Sequence, residues 1–256
     1  MVSPKILDSV LNVNSYNIGI NAYGFDMQYV QYKIFEKYNK VPRLIIQNVD
    51  YISTLFGRKD AYHKHQFLPY LQEDLLKRKL KTLGLSDWEL YFPAFQYHSD
   101  LLSIYRGWIE FLGIKHYAGA EYKGYVGTEI PWNGAELEKI LSKDSLVSST
   151  DPEIIQLFDS FLSDCKSKNI QVILVFTPIY FKAAEFIKNK EEVMDIFRCF
   201  SQKYDIPFLD YSRDSLCYDT AYFYNAWHLN KEATELFSLQ LANDIKALQL
   251  NLSNSY

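Results

Sequence analysis

Apolar and polar positions along the chain fall into strand-like runs and helix-like faces. Ile6, Val10 and Leu11 after Pro4 predict a short opening helix with proline in its first turn. Tyr16-Asn17-Ile18-Gly19-Ile20 reads as a short strand running into a loop. Met27, Val30, Ile34 and Tyr38 recur at helical spacing, with Asp26 as N-cap and Pro42 beyond the end. Leu44-Ile45-Ile46 is a buried-strand signature that delivers Gln47, Asn48 and Asp50 at its carboxyl end. Further on, Asp151-Pro152-Glu153 opens a helix whose face is Ile154, Phe158, Phe161 and Cys165. Gln171–Phe176 is a second buried strand, closed by Thr177-Pro178. Phe186, Val193, Phe197 and Phe200 mark another helix, Ile206–Asp210 a short strand, and Ala233, Leu236, Phe237, Leu241 and Ile245 the last helix. Apolar strands alternating with helices predict an α/β sheet covered on both faces.

The stretch 60–145 breaks this rhythm. Helical patterning returns at Leu71–Leu83, where Gly84 is a natural stop, and at Leu101–Leu112. Twelve aromatics fall in the 45 residues from Trp88 to Trp132. We read 60–145 as an insertion or lid inside one domain spanning 1–256. Two accounts of its rings compete: cover that packs on itself, which is the more economical, or the wall of an acyl or sugar pocket.

Composition narrows the function classes. The chain carries 27 Lys and Arg against 31 Asp and Glu, and has no basic stripe interleaved with aromatics, which disfavours a nucleic-acid partner. Cys165, Cys199 and Cys217 lack metal-ligand spacing and read as buried free thiols. No apolar run approaches the roughly 20 residues of a membrane helix. Met1-Val2-Ser3-Pro4-Lys5 shows no signal peptide, so the chain reads as cytoplasmic. Neither a phosphate-binding glycine loop nor a dinucleotide fingerprint is present, and no cofactor or metal is expected. His63-Lys64-His65 beside Asp60 reads as a solvated loop. Asp50 and Asp210 read as strand-end residues capping the next element.

Ligands of open α/β sheets sit beyond the carboxyl ends of the strands. Those ends carry Gly19 with Asn21, Asn48 with Asp50, Thr177 with Tyr180, and Asp210 with Tyr211. A further polar cluster, Tyr224-Asn225-Ala226-Trp227-His228-Leu229-Asn230, precedes the last helix. Asn230 is placed to cap that helix and so to give His228 a rigid mount. Taken singly, each has a plainer role: Gly19 for positive φ, Asn48 for a turn bond, His228 for packing on Trp227.

The order of these pieces resembles the SGNH (GDSL-type) hydrolase superfamily. Gly19 in Tyr-Asn-Ile-Gly-Ile-Asn is similar to its Gly block, Asn48 in Ile-Ile-Gln-Asn-Val-Asp to its Asn block, and Asn225-x-x-His228 to its His block. The resemblance spans most of the chain outside 60–145. It implies a three-layer αβα fold with a mostly parallel, flavodoxin-like sheet. It also implies ester hydrolysis of a small-molecule or carbohydrate substrate, with His228 as general base and Asn225 orienting it. Gly19 and Asn48 would stabilise the oxyanion.

Two departures qualify it. The Ser block is absent, and Ser3 has no strand before it. Asn225 stands where the family has Asp, a change that cost about 10⁴ in rate in a serine protease. The resemblance therefore implies a missing first strand and nucleophile, both carried by a longer N-terminus that could also hold a signal for the cell envelope. As it stands the chain would be inactive, and its incomplete sheet offers a route to oligomers. The competing class is a hydrolase-derived binding or scaffold domain that uses the aromatic insertion without turnover.

Overall fold

The computed structural model describes residues 2–62, 64–92, 95, 101–114, 122–142 and 145–250. In chain order the elements are α1 (Pro4–Leu11), α2 (Phe25–Tyr38), β1 (Leu44–Val49), α3 (Asp74–Thr82), α4 (Asp87–Tyr91) and α5 (Leu101–Phe111). They continue with α6 (Ala135–Leu141), α7 (Pro152–Ser167), β2 (Gln171–Phe176), α8 (Phe181–Glu185) and α9 (Lys190–Tyr204). The last are β3 (Phe208–Asp210), β4 (Phe223–Asn225), β5 (His228–Leu229) and α10 (Lys231–Ala247). The fold is mixed α/β with a small parallel sheet. It divides into two compact units: Met1–Ile18 with Lys40–Phe56 and Ala120–Tyr256, and Gly19–Asn39 with Gly57–Gly119.

The first unit is built on the sheet β1-β2-β3, all parallel, with β2 in the middle. Ile46 pairs with Ile173, Asn48 with Val175, and Val175 with Leu209, so these side chains share one face. Ile173 and Val175 join a core cluster with Phe237, Leu241 and Ile245 of α10. Leu174 and Phe176 of the alternate register are equally buried, so water is excluded from both sides of β2. Helix α7 starts as its sequence predicts: the Asp151 carboxylate accepts the Glu153 N–H at 2.9 Å, and Pro152 occupies the first turn. Its fully buried Phe158 meets Phe197 and Phe200 of α9 at ring separations of 5.9 and 5.2 Å.

Three expectations need correction here. Tyr16–Ile20 is not a strand, because a strand exists only through its neighbours. No strand among the described residues pairs with it, and the Asn17 N–H donates to the Lys123 carbonyl at 2.9 Å. The contact is close enough that Gly124, at φ +84°, could take no side chain: a Cβ there would lie 2.0 Å from the Asn17 carbonyl oxygen. Phe186 belongs to no helix but lies in the break between α8 and α9, where its carbonyl accepts the Leu146 N–H at 3.1 Å. Cys199 is exposed on α9, whereas Cys165 and Cys217 are buried free thiols.

In the second unit, α2 and α3 bury Met27, Val30, Ile34, Leu76 and Leu80 together with Phe67. Asp26 is not the cap of α2. Gly24 is, and Asp26 lies inside the first turn, ion-paired with Lys79. Gly84 does stop α3: at φ +89° it turns the chain so that the Leu85 N–H reaches back to the Leu80 carbonyl at 3.2 Å. Helix α4 follows through a capping box of Ser86 and Glu89. The Lys64 ammonium, 2.6 Å from Glu89, holds that carboxyl down to about 2. His63, with the side chain of His65, lies outside the described residues. Among the described rings of this unit, Trp88 packs on Phe92 at 4.5 Å and Trp108 on Phe111 at 6.0 Å between ring centroids, and yet both pairs stay open to water. Trp88, Tyr91, Phe92, Tyr105, Trp108 and Phe111 are all exposed.

Candidate functional site

The segment before α10 folds as a hairpin, with Phe223 opposite Leu229 and Asn225 opposite His228. Phe223, Ala226 and Leu229 are buried in the cluster against β2 and α10 and anchor it from below. Backbone bonds fix it from the sides: Tyr180 N–H donates to the Ala226 carbonyl at 3.1 Å, and Asn133 N–H to that of Tyr224 at 3.0 Å. Asn230 caps α10 as expected, its Oδ1 accepting the Ala233 N–H at 2.9 Å. Its Nδ2 donates to the Ala221 carbonyl. His228 therefore rides on a mount held at both ends.

Its imidazole stacks on Tyr224, ring centroids 5.4 Å apart and planes 11° from parallel. Nδ1 lies 2.9 Å from Asn225 Oδ1. The same oxygen accepts the Trp227 N–H at 3.0 Å, which identifies that amide atom as oxygen and not nitrogen. An amide oxygen can only accept, so Nδ1 carries the proton and the basic lone pair is on Nε2. Burial lowers the His228 pKa below the ordinary histidine value, helped by the positive amino-terminal charge and opposed by the Asp50 carboxylate. The ring is neutral at neutral pH.

Asp50 leaves β1 at the same end of the sheet. Its carboxylate accepts the Ile52 N–H at 2.7 Å, the Ser53 N–H and hydroxyl at 2.5 Å each, and the Thr54 hydroxyl at 3.1 Å. That is the capping role expected of it, and Asp210 likewise accepts the Ser212 N–H at 2.9 Å. Held this way, Asp50 is a fixed negative charge whose field reaches His228. Behind it Tyr51 is buried against Phe176, and burial pushes its hydroxyl up to about 12. Tyr211 donates to Asp244 at 2.6 Å and is structural.

Asn48 is exposed near the end of β1, on the sheet face shared with Ile46 and Val175. That is the face whose cluster anchors the hairpin, so Asn48 and His228 are on one side of the sheet. Gly19 belongs to the other unit, exposed in an irregular segment without positive φ. Ser3 is buried at the start of α1, its N–H on Ser238 Oγ at 2.9 Å. Sequence reasoning missed the Tyr224 stack and the charge of Asp50 on the imidazole. The only available hint was the Tyr-x-x-x-His spacing, which brings the two together once the chain turns back at Ala226-Trp227.

No family model, curated protein or solved structure matches this chain. Among the described residues no cluster of His, Cys, Asp or Glu could hold a metal ion, and no helix is long and apolar enough to cross a membrane.

Proposed function

We propose that the first unit carries the base of an SGNH-type ester hydrolase, on a three-layer αβα frame with a flavodoxin-like sheet. The observation that carries this is Asn225 Oδ1 accepting from both Trp227 N–H and His228 Nδ1, which leaves Nε2 as a free base at neutral pH. In the step this implies, Nε2 takes the proton of a serine hydroxyl as its oxygen adds to the ester carbonyl. Nε2 then returns that proton to the departing alkoxide, and water repeats the cycle on the acyl-serine. Asn225 keeps the ring in the correct tautomer, which is the defect blamed for the loss when Asp becomes Asn elsewhere. Asp50 supplies at longer range the negative charge that Asn225 lacks. Asn48 is the oxyanion donor proposed within this unit.

The reading requires a hydroxyl nucleophile beyond the residues named here. The test compares this chain with one extended upstream by its in-frame coding sequence, both assayed on p-nitrophenyl acetate. The extended chain is expected to hydrolyse the ester, and His228→Ala to abolish that activity. If the extended chain contains a serine turn, folds, and turns over nothing, the hydrolase reading fails and the binding-domain reading stands.

A further inference from the structure

The apolar half of α5 is turned to water. At 3.6 residues per turn, Leu101, Leu102, Ile104, Tyr105, Trp108, Ile109 and Phe111 fall on one side, and Ser103, Arg106, Gly107 and Glu110 on the other. Such a stripe normally faces a core. Here Leu101 is 74% exposed, Trp108 60% and Phe111 81%, and the two rings alone present on the order of 100 Å² each. At helix α4, which buries Leu90, Trp88 and Phe92 pack tilted at 4.5 Å yet remain exposed beside Tyr91.

A cation stands next to one ring of α4. Lys77 of α3 sits 4.7 Å from the centroid of the Tyr91 ring, and Arg78 beside it is exposed. Lys79 and Lys81 pair with Asp26 and Asp87, whereas Lys77 and Arg78 form no ion pair among the described residues. The second unit as a whole has eleven Lys and Arg against nine Asp and Glu, and four of the five histidines, within a chain of net charge −4. The second unit is thus net positive by two, while the rest of the chain is net negative by six.

We propose that the second unit docks on the surface of an anionic lipid bilayer. Trp88, Tyr91, Trp108 and Phe111 would enter the headgroup boundary, with Lys77 and Arg78 on the lipid phosphates. Tryptophan and tyrosine favour that boundary because one part of the ring system is apolar and another polar. An amphipathic helix of this length lies in the interface plane. Spanning is excluded for α5, since its 11 residues reach only about 16 Å of a hydrocarbon core near 30 Å.

The test is flotation of the whole chain with vesicles of phosphatidylcholine alone or with about a quarter phosphatidylglycerol. The chain is expected to float with the anionic vesicles, to shift its tryptophan emission to shorter wavelength, and to be released by high salt. Lys77→Gln and Arg78→Gln should each weaken binding about fivefold. The double variant Trp108→Ser/Phe111→Ser should lose both binding and the emission shift. All four positions lie on the surface, and circular dichroism checks that each variant folds. Absence of flotation overturns the proposal, as does equal binding by the variants. So does a dimer in sedimentation equilibrium that the Trp108/Phe111 variant dissolves. None of these outcomes depends on hydrolase activity.

Discussion

Replacing Asn225 with leucine keeps the side chain's approximate shape and removes the one oxygen that organises the His228 hairpin. Trp227 N–H at 3.0 Å and His228 Nδ1–H at 2.9 Å then both lose their acceptor. An orphaned buried donor costs about 1–3 kcal/mol. Both donors are half-buried, so water partly replaces the bond and the low end applies, about 2 kcal/mol for the pair. For a chain of this size that is a fall of about 4–8 °C in Tm, readable by differential scanning calorimetry. Nitrogen-15 NMR of the imidazole gives the second readout. The native ring is expected as the Nδ1–H tautomer and the variant as a mixture. Asn225→Asp retains both acceptors and adds a charge, so it should keep Tm and raise the His228 pKa. An Asn225→Leu protein with unchanged Tm and an unchanged tautomer would refute the reasoning, because the oxygen would then hold nothing.

Three further outcomes follow from other parts of the molecule. The folded pKa of His228 is lowered, so the unfolded chain binds its proton first. The stability this histidine contributes is present above about 6.5 and is lost as pH falls through the folded value. Urea midpoints measured from pH 7.5 to 5 should fall, with at most about 1.4 kcal/mol per pH unit from this group, and His228→Gln should flatten that part of the slope. Phe158→Ala empties a fully buried site among Phe161, Phe197 and Phe200 and should cost about 3–5 kcal/mol in urea unfolding. Gly124→Ala combines a φ of +84° with a clash on the Asn17 backbone and should cost at least about 2 kcal/mol, whereas alanine at Gly107, with open space around it, should not.

What could be read in advance is what rests on long, regular patterns. Helices α7 and α10 and strand β2 follow from apolar periodicity sustained over many residues, and Asp151 and Asn230 cap where their side chains predict. Tyr16–Ile20 failed because its alternation was short and nothing local specifies a partner strand. The hairpin was missed because Ala226-Trp227 lacks the Asn-Gly chemistry that marks tight turns; buried Phe223 and Leu229 hold it instead. Within the site, His228 and Asn225 were legible as a spaced pair. Their tautomer was not, because it depends on a third group, the Trp227 N–H, whose direction is a property of the folded backbone. The aromatic insertion was left with two accounts for a related reason: composition says how many rings there are, and only packing says which of them water touches.

The outer edge of β1 has a consequence of its own. No strand among the described residues pairs there, and the six residues Leu-Ile-Ile-Gln-Asn-Val contain no charge, proline or glycine. Edge strands are normally blunted by a lysine, a proline or a bulge. A short, neutral segment of high β-propensity is instead the composition of a fibril-forming stretch. In the unfolded chain this hexapeptide therefore favours stacking on its own copies. A lysine at Asn48 would then protect solubility while removing a proposed oxyanion donor, so protection from aggregation and catalysis compete for a single position.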